Sequence, residues 1–429
     1  MLYALGVLAF AFGLLASIAL HEIGHMVPAK KFGVKVTQYM VGFGPTLFSR
    51  HKGDTEYGFK AVPMGGYIRM IGMVPPRRDG RKSRWPTRMA TLVEEFRETS
   101  RAEVHAGDED RQFYRLTPGK KMIIMLGGPT MNLLIFLLIT ILLYGVIGAK
   151  GPTTTVAAVS KCVVPATAKV LDCPAPGSSG FVKAPANGVL QPGDRITAID
   201  GQQITRWSQS VSIIEASANK PLSIEVLRAG KPVELTITPV QTTKFANDQG
   251  TRTKQAGFIG IGTTQAYQRL GPGRLSSLVW QQLGLSVDAL RNFPSKIGSL
   301  FGTVFEGKPR DQQGAVGVVG LGRIGGEIAD SKKISVLDKI STLLSLLAGV
   351  NLLLFFFNLL PLLPLDGGHV AGAIVESVRR GIARLRKRPH LIFVDVANLV
   401  PVMYVVASVL IVFSVLVLYA DIVKPISLN

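Results

Sequence analysis

The chain has 429 residues, a formal charge of +20 and a mean hydropathy of +0.31. Charge this high ordinarily raises nucleic acid as a partner, but the distribution argues against it, because the basic residues gather beside long apolar runs. Those runs number four and each reaches the ~20 residues needed to cross a hydrocarbon core of roughly 30 Å, so the chain reads as a polytopic α-helical membrane protein rather than a soluble one.

The first predicted span covers 1–28 and ends in HEIGH. A cleaved signal peptide is the rival reading, but no basic segment precedes the run and no small-residue cleavage site follows it. On a helix, His21 and His25 project from one face and can share one metal ion. Glu22 stands beside them, placed to take a proton from a water on that metal. Two neutral imidazoles and a water suit Zn²⁺. Charged groups in an apolar span cost about 3 kcal/mol each on insertion scales, so they are usually functional.

Residues 29–120 form a loop between spans. In KFGVKVTQYMVGFGPTLF and EYGFKAVPMGGYIRMIG, short alternating stretches are broken at Gly42, Gly44 and Pro45, and again at Gly65 and Gly66. The pattern predicts strands, hence a small β-sheet against the membrane face. Residues 86–104 place Met89, Leu92, Val93 and Phe96 on one face of an amphipathic helix.

The second span, 121–148, carries GGPTMN with Asn132 inside the membrane. Interhelical hydrogen bonding is the simpler role for that amide, and substrate binding is the alternative. Residues 153–240 read as a compact β-rich domain, with turns at Pro192–Gly193 and Asp200–Gly201 and a hairpin around Ala229–Gly230. GVLQPGDRITAIDG resembles the core of a bacterial PDZ domain, although no GLGF-like peptide-binding loop is evident. The only two cysteines, Cys162 and Cys173, fall here. A disulfide between them would close a short loop and contribute about 2–3 kcal/mol; two unpaired thiols are the alternative. Residues 241–341 read as a linker with interfacial helices.

The third span, 342–366, ends in NLLPLLPLDGG. A catalytic zinc needs a third protein ligand and one open position. Asp366 is the candidate, with His369 as competitor. The Asn358 amide either donates to an oxyanion or satisfies a carbonyl freed by Pro361. A basic loop at 367–396, containing Arg379, Arg380, Arg384, Arg386, Lys387 and Arg388, leads to the fourth span at 397–420.

Arg77, Arg78, Arg81, Lys82, Arg84 and Arg88 crowd the first loop as the arginines above crowd the last. Basic loops mark the cytoplasmic side, which places the N-terminus and residues 149–341 outside. His25 then lies roughly 7 Å of helix from the boundary at Lys30, and Asp366 comes late in an inward-running span. The two motifs therefore fall in the same half of the bilayer.

HEIGH, GGPTMN, the PDZ-like insert and NLLPLLPLDGG, in that order, resemble the site-2 protease family of zinc intramembrane metalloproteases, nearest in layout to its single-PDZ actinobacterial branch. The resemblance implies His21, His25 and Asp366 as zinc ligands, Glu22 as the base, and the strands around Gly42–Gly44 and Gly65–Gly66 as substrate guides. It implies a bacterial cell-membrane enzyme whose substrate is a single-pass membrane protein, such as an anti-sigma factor already cut by another protease. Some relatives place prolines three and five residues after the asparagine; here Pro361 and Pro364 stand at three and six. The rival readings are a non-catalytic scaffold, against which the intact Glu22 speaks, and a metal transporter, for which neither internal repeats nor midplane ligands on several spans are visible.

Overall fold

The computed structural model describes residues 1–77, 85–168, 172–175, 177–178, 181–245, 252–311, 314–387 and 393–426. Arg78, Arg81, Lys82, Arg84 and Arg388 of the basic loops lie outside the described residues. From the N-terminus come α1 (Leu2–Lys31), β1 (Val36–Lys52), β2 (Thr55–Met70), α2 (Thr87–Ala102) and α3 (Pro118–Thr140), which continues as a π-helical stretch over Ile141–Ile147. Strands β3 (Ala149–Val159), β4 (Arg195–Ile199) and β5 (Gln202–Gln203) precede α4 (Trp207–Ala216). Then follow β6 (Leu222–Arg228), β7 (Lys231–Ile237), β8 (Val240–Phe245), β9 (Thr253–Phe258) and β10 (Ile261–Gln268). The chain ends in α5 (Pro272–Arg291), α6 (Phe293–Phe305), α7 (Val318–Asp330), α8 (Val336–Asn358), α9 (Asp366–Leu385) and α10 (Val400–Val423).

Two compact units result: Met1–Gly145 together with Gly271–Asn429, and Val146–Leu270. Four helices, Leu2–Lys31, Pro118–Ile147, Val336–Asn358 and Val396–Val423, are long and apolar enough to cross a membrane. The third stops at Asn358, earlier than the apolar run suggests, because Pro361 and Pro364 cannot continue a helix. Asp366 instead opens α9, a 20-residue helix where basic composition alone suggested a loop. Leu365 stands at its N-cap, its carbonyl accepting from the Gly368 N–H at 3.0 Å, and its interior buries Ala373 and Glu376. At the start of α8, Ser335 and Asp338 form a capping box, the Ser335 hydroxyl accepting from the Asp338 N–H.

Helices of the first unit meet through small residues. A Cβ on Gly6 of α1 would overlap the Gly325 carbonyl of α7, so Gly6 has no room for a side chain. Strands β1 and β2 fold back on themselves: Tyr39 pairs with Ile68 on one side and Tyr57 on the other, while 46–52 pairs with 55–60. The ribbon bends at Gly42, Gly44 and Gly65, all with positive φ, which only glycine adopts without strain.

In the second unit the sheet order is β10–β3–β4–β6–β7, with β5 beside β4. Its core contains Ile196, Ile199, Ile214, Leu222, Ile224, Val226 and Ile237. The β6–β7 turn places Ala229 and Gly230 both at positive φ, the backbone that matches strand twist in a two-residue hairpin. The aspartate of QPGDRI is structural. Asp194 accepts from both the Nε and Nη2 of Arg228, at 2.8 and 2.7 Å, and from the Gln191 N–H at 2.9 Å. The Arg228 bond holds its carboxyl below the usual carboxylate range. Cys162 and Cys173 are joined in a disulfide. The unit runs on to Leu270, taking in three strands that composition assigned to a linker; their polar alternation and glycines mask the strand signal.

Candidate metal centre

Two chain segments build the site. On α1, His21 and His25 present Nε2 atoms 3.2 Å apart. Asp366, first residue of α9, brings its Oδ2 to 3.4 Å from His21 Nε2 and 3.3 Å from His25 Nε2. All three donor atoms lie within 4.8 Å of one another. Donors about 2.0–2.1 Å from one tetrahedral ion stand roughly 3.3 Å apart, so these residues fit a zinc ion and leave a fourth position. Asp366 also sits in the first turn of its helix, where the macrodipole favours a carboxylate. His369, the competing ligand, is outside this cluster.

The approach of Asp366 depends on the two glycines after it. A Cβ on Gly367 would run into the backbone of Leu359 and Leu360, and one on Gly368 into that of Leu362 and Leu363. The LPLDGG turn therefore folds flat against its own backbone, which returns Asp366 toward the end of α8 and Asn358. Asn358 makes no side-chain hydrogen bond among the described residues.

GGPTMN occupies the crossing of α3 over α1. A Cβ on Gly127 would overlap the Gly24 carbonyl, and one on Gly128 would overlap both imidazoles. His25 Nδ1 lies 2.7 Å from the Ile124 carbonyl. A carbonyl only accepts, so Nδ1 carries the proton and the Nε2 lone pair is free for a metal. One turn on, Asn132 is 1% exposed and its Nδ2 lies 3.1 Å from His21 Nδ1.

Glu22 faces the folded ribbon. The Ile68 backbone lies near its carboxylate, and a Cβ on Gly66 would stand 3.1 Å from its Cγ. The Tyr39 hydroxyl donates to the Ala19 carbonyl at 2.8 Å; burial, followed by the nearby Glu22 carboxylate, pushes that phenol up to about 12, so it remains a donor. Of the expected substrate-guiding glycines, Gly66 thus abuts Glu22, whereas Gly42, Gly44 and Gly65 shape the bends.

Several residues were not singled out from the sequence. Asn351 of α8 donates to Ser17 Oγ at 3.0 Å and to the Leu347 carbonyl at 2.8 Å, pinning α8 to α1 one turn before His21. The signal that would have found both is a polar letter inside an apolar run. Buried Lys121 of α3 meets buried Glu376 of α9 at 2.8 Å, and Arg380 reaches Glu376 at 2.6 Å. Lys121 and Glu376 are 255 residues apart in the sequence, and nothing local announced that pair.

The sequence model of peptidase family M50 matches residues 9–402. The chain belongs to peptidase family M50. Among its relatives, "Zinc metalloprotease Rip1" of Mycobacterium tuberculosis is 32% identical over the whole of both chains. The protein of that name from Mycolicibacterium smegmatis is 30% identical, again over all of both. "Zinc metalloprotease RasP" of Geobacillus kaustophilus is 26% identical over 91% of this chain and 94% of its own. As an M50 peptidase with four membrane-length helices, the protein is a membrane protease, and the family agrees with the one its motifs resemble.

Because Gly128 lies against both imidazoles, Gly128→Ala should displace them and cost about 1–3 kcal/mol in overpacking. The measurement is bound metal per purified chain together with thermal stability; Gly119→Ala, whose Cβ would meet open space, should leave both unchanged.

Proposed function

We propose that the protein is a zinc-dependent intramembrane endopeptidase that cuts within the transmembrane helix of single-pass membrane proteins. The observation that carries this reading is the convergence of His21 and His25, on the apolar helix α1, with Asp366 at the start of α9, at zinc-ligand spacing and with Glu22 beside them. The names of the full-length relatives support zinc as the metal. When bound, zinc supplies a Lewis acid that polarises a carbonyl and acidifies water.

The remaining work falls to side chains and backbone. Glu22 takes the proton of the attacking water and passes it to the leaving amine. Asn358, whose amide is uncommitted among the described residues, donates to the developing oxyanion. A helical substrate hides its peptide bonds in its own hydrogen bonds and must be extended before attack. The ribbon segment 66–70, which runs past Glu22, is the surface that holds it so, by main-chain pairing.

The basic loops support a bacterial cell membrane setting with the N-terminus outside and the HEIGH and LDGG motifs toward the cytoplasm. Val146–Leu270 is then extracytoplasmic. No GLGF-like loop for capturing a peptide end is evident in it, which favours a unit that acts by excluding bulky partners. The substrate class this favours is a single-pass protein already trimmed outside, of which an anti-sigma factor is one kind.

Three measurements test this reading. Glu22→Gln should keep zinc but lower cleavage by about 10²–10⁴-fold, and Asp366→Ala should lose both; full activity in Glu22→Gln removes the base assignment. Cysteines placed near Arg88 and Arg384 should label from the cytoplasm and one near Gly201 from outside; outside labelling at 384 overturns the topology. Replacing 153–264 with a flexible linker should speed cleavage of an untrimmed substrate; slower cleavage of both trimmed and untrimmed forms makes the unit a receptor instead.

A further inference from the structure

His21 and His25 are held by unlike partners. His25 Nδ1 faces a backbone carbonyl, which fixes its tautomer. His21 Nδ1 faces the amide of Asn132, which has a donor end and an acceptor end. As the side chain stands, Nδ2 points at Nδ1 and the Oδ1 atom, fully buried, has no hydrogen-bond partner. That arrangement requires the proton on His21 Nε2, the atom that points at Asp366 and His25. A ligand atom cannot keep that proton.

A half-turn of the amide resolves the conflict at Nε2. Oδ1 then accepts from His21 Nδ1–H and the Nε2 lone pair is freed, while the amide nitrogen takes the place of the unpartnered oxygen. We propose that Asn132 is a positioning residue whose side-chain oxygen holds His21 in the Nδ1–H tautomer and aims its Nε2 at the metal. This rests on the metal-site reading above and adds to it a role for the asparagine of GGPTMN. The motif then reads as one device: Gly127 and Gly128 let α3 approach α1, and the residue one turn later meets the imidazole that the glycines admit. The carbonyl of Ile124 does for His25 what Asn132 does for His21. An interhelical bond alone would not require an acceptor at this position; orientation of a metal-ligating imidazole does.

The test compares Asn132→Leu, which removes the acceptor, with Asn132→Asp, which keeps an oxygen there. The full-length protein is titrated with Zn²⁺ against a competing chelator, with His21→Ala as control. Asn132→Leu should weaken zinc binding about 10–100-fold, whereas Asn132→Asp should stay within a few-fold of the parent. Zinc affinity unchanged in Asn132→Leu, or lowered equally in both variants, overturns the proposal while leaving the metal site intact, provided His21→Ala loses zinc. Unchanged affinity in His21→Ala overturns both. Should Asn132→Leu not fold, nitrogen-15 spectra of histidine-labelled parent protein decide: zinc-loaded His21 must show Nδ1–H, and an Nε2–H ring refutes the role.

Discussion

The crossing of α1 and α3 is the contact on which the site depends. Lipid tails are as apolar as leucine, so burial does not pull two membrane helices together; close packing and hydrogen bonds must do it. Gly24 and Gly127 allow backbone-to-backbone approach, and Gly128 leaves the imidazoles the volume that a side chain would take. At ordinary helix spacing Ile124 and Asn132 would not reach the two histidines. Each ring instead finds a partner for its Nδ1 within 3.1 Å.

The other polar groups within the helices tie this crossing to its neighbours. Ser17 and Asn351 join α1 to α8. Lys121 and Glu376 join α3 to α9, the helix that begins with Asp366. Removing one member of a buried ion pair leaves an uncompensated charge, which typically costs about 3–5 kcal/mol, so these pairs favour one arrangement of helices over its slipped alternatives. At the far end of the bundle Asp421 accepts from Arg310 at 2.6 Å and from the N–H groups of Gly317 and Gly320 at 2.9 Å. That fastens the end of α10 to the start of α7. Polar contacts are few, but they sit between the helices whose relative position sets the donor distances.

The Val146–Leu270 unit follows different physics. Its sheet is stabilised by an apolar core with polar residues outward, as in a water-exposed β-domain. The strand β10, lying last in the unit, returns to pair with β3, the first. That return brings the chain ends of the unit close together, the geometry an inserted domain requires.

The sequence by itself determined the four spans, because apolar length is a one-dimensional property. It also determined the pairing of His21 with His25, since helical periodicity places residues four apart on one face. The β6–β7 hairpin was legible for the same reason: Ala229–Gly230 is a local signal between alternating strands. Asp366 was legible as a lone acid beside two prolines, though not as the start of a new helix. What only the tertiary structure decided is who meets whom across long separations. The doubling of the β1–β2 ribbon, the Lys121–Glu376 pair and the contact of Asn132 with His21 all lie beyond any local period. Three-dimensional packing brings those atoms together, and a linear pattern carries no record of which faces will touch.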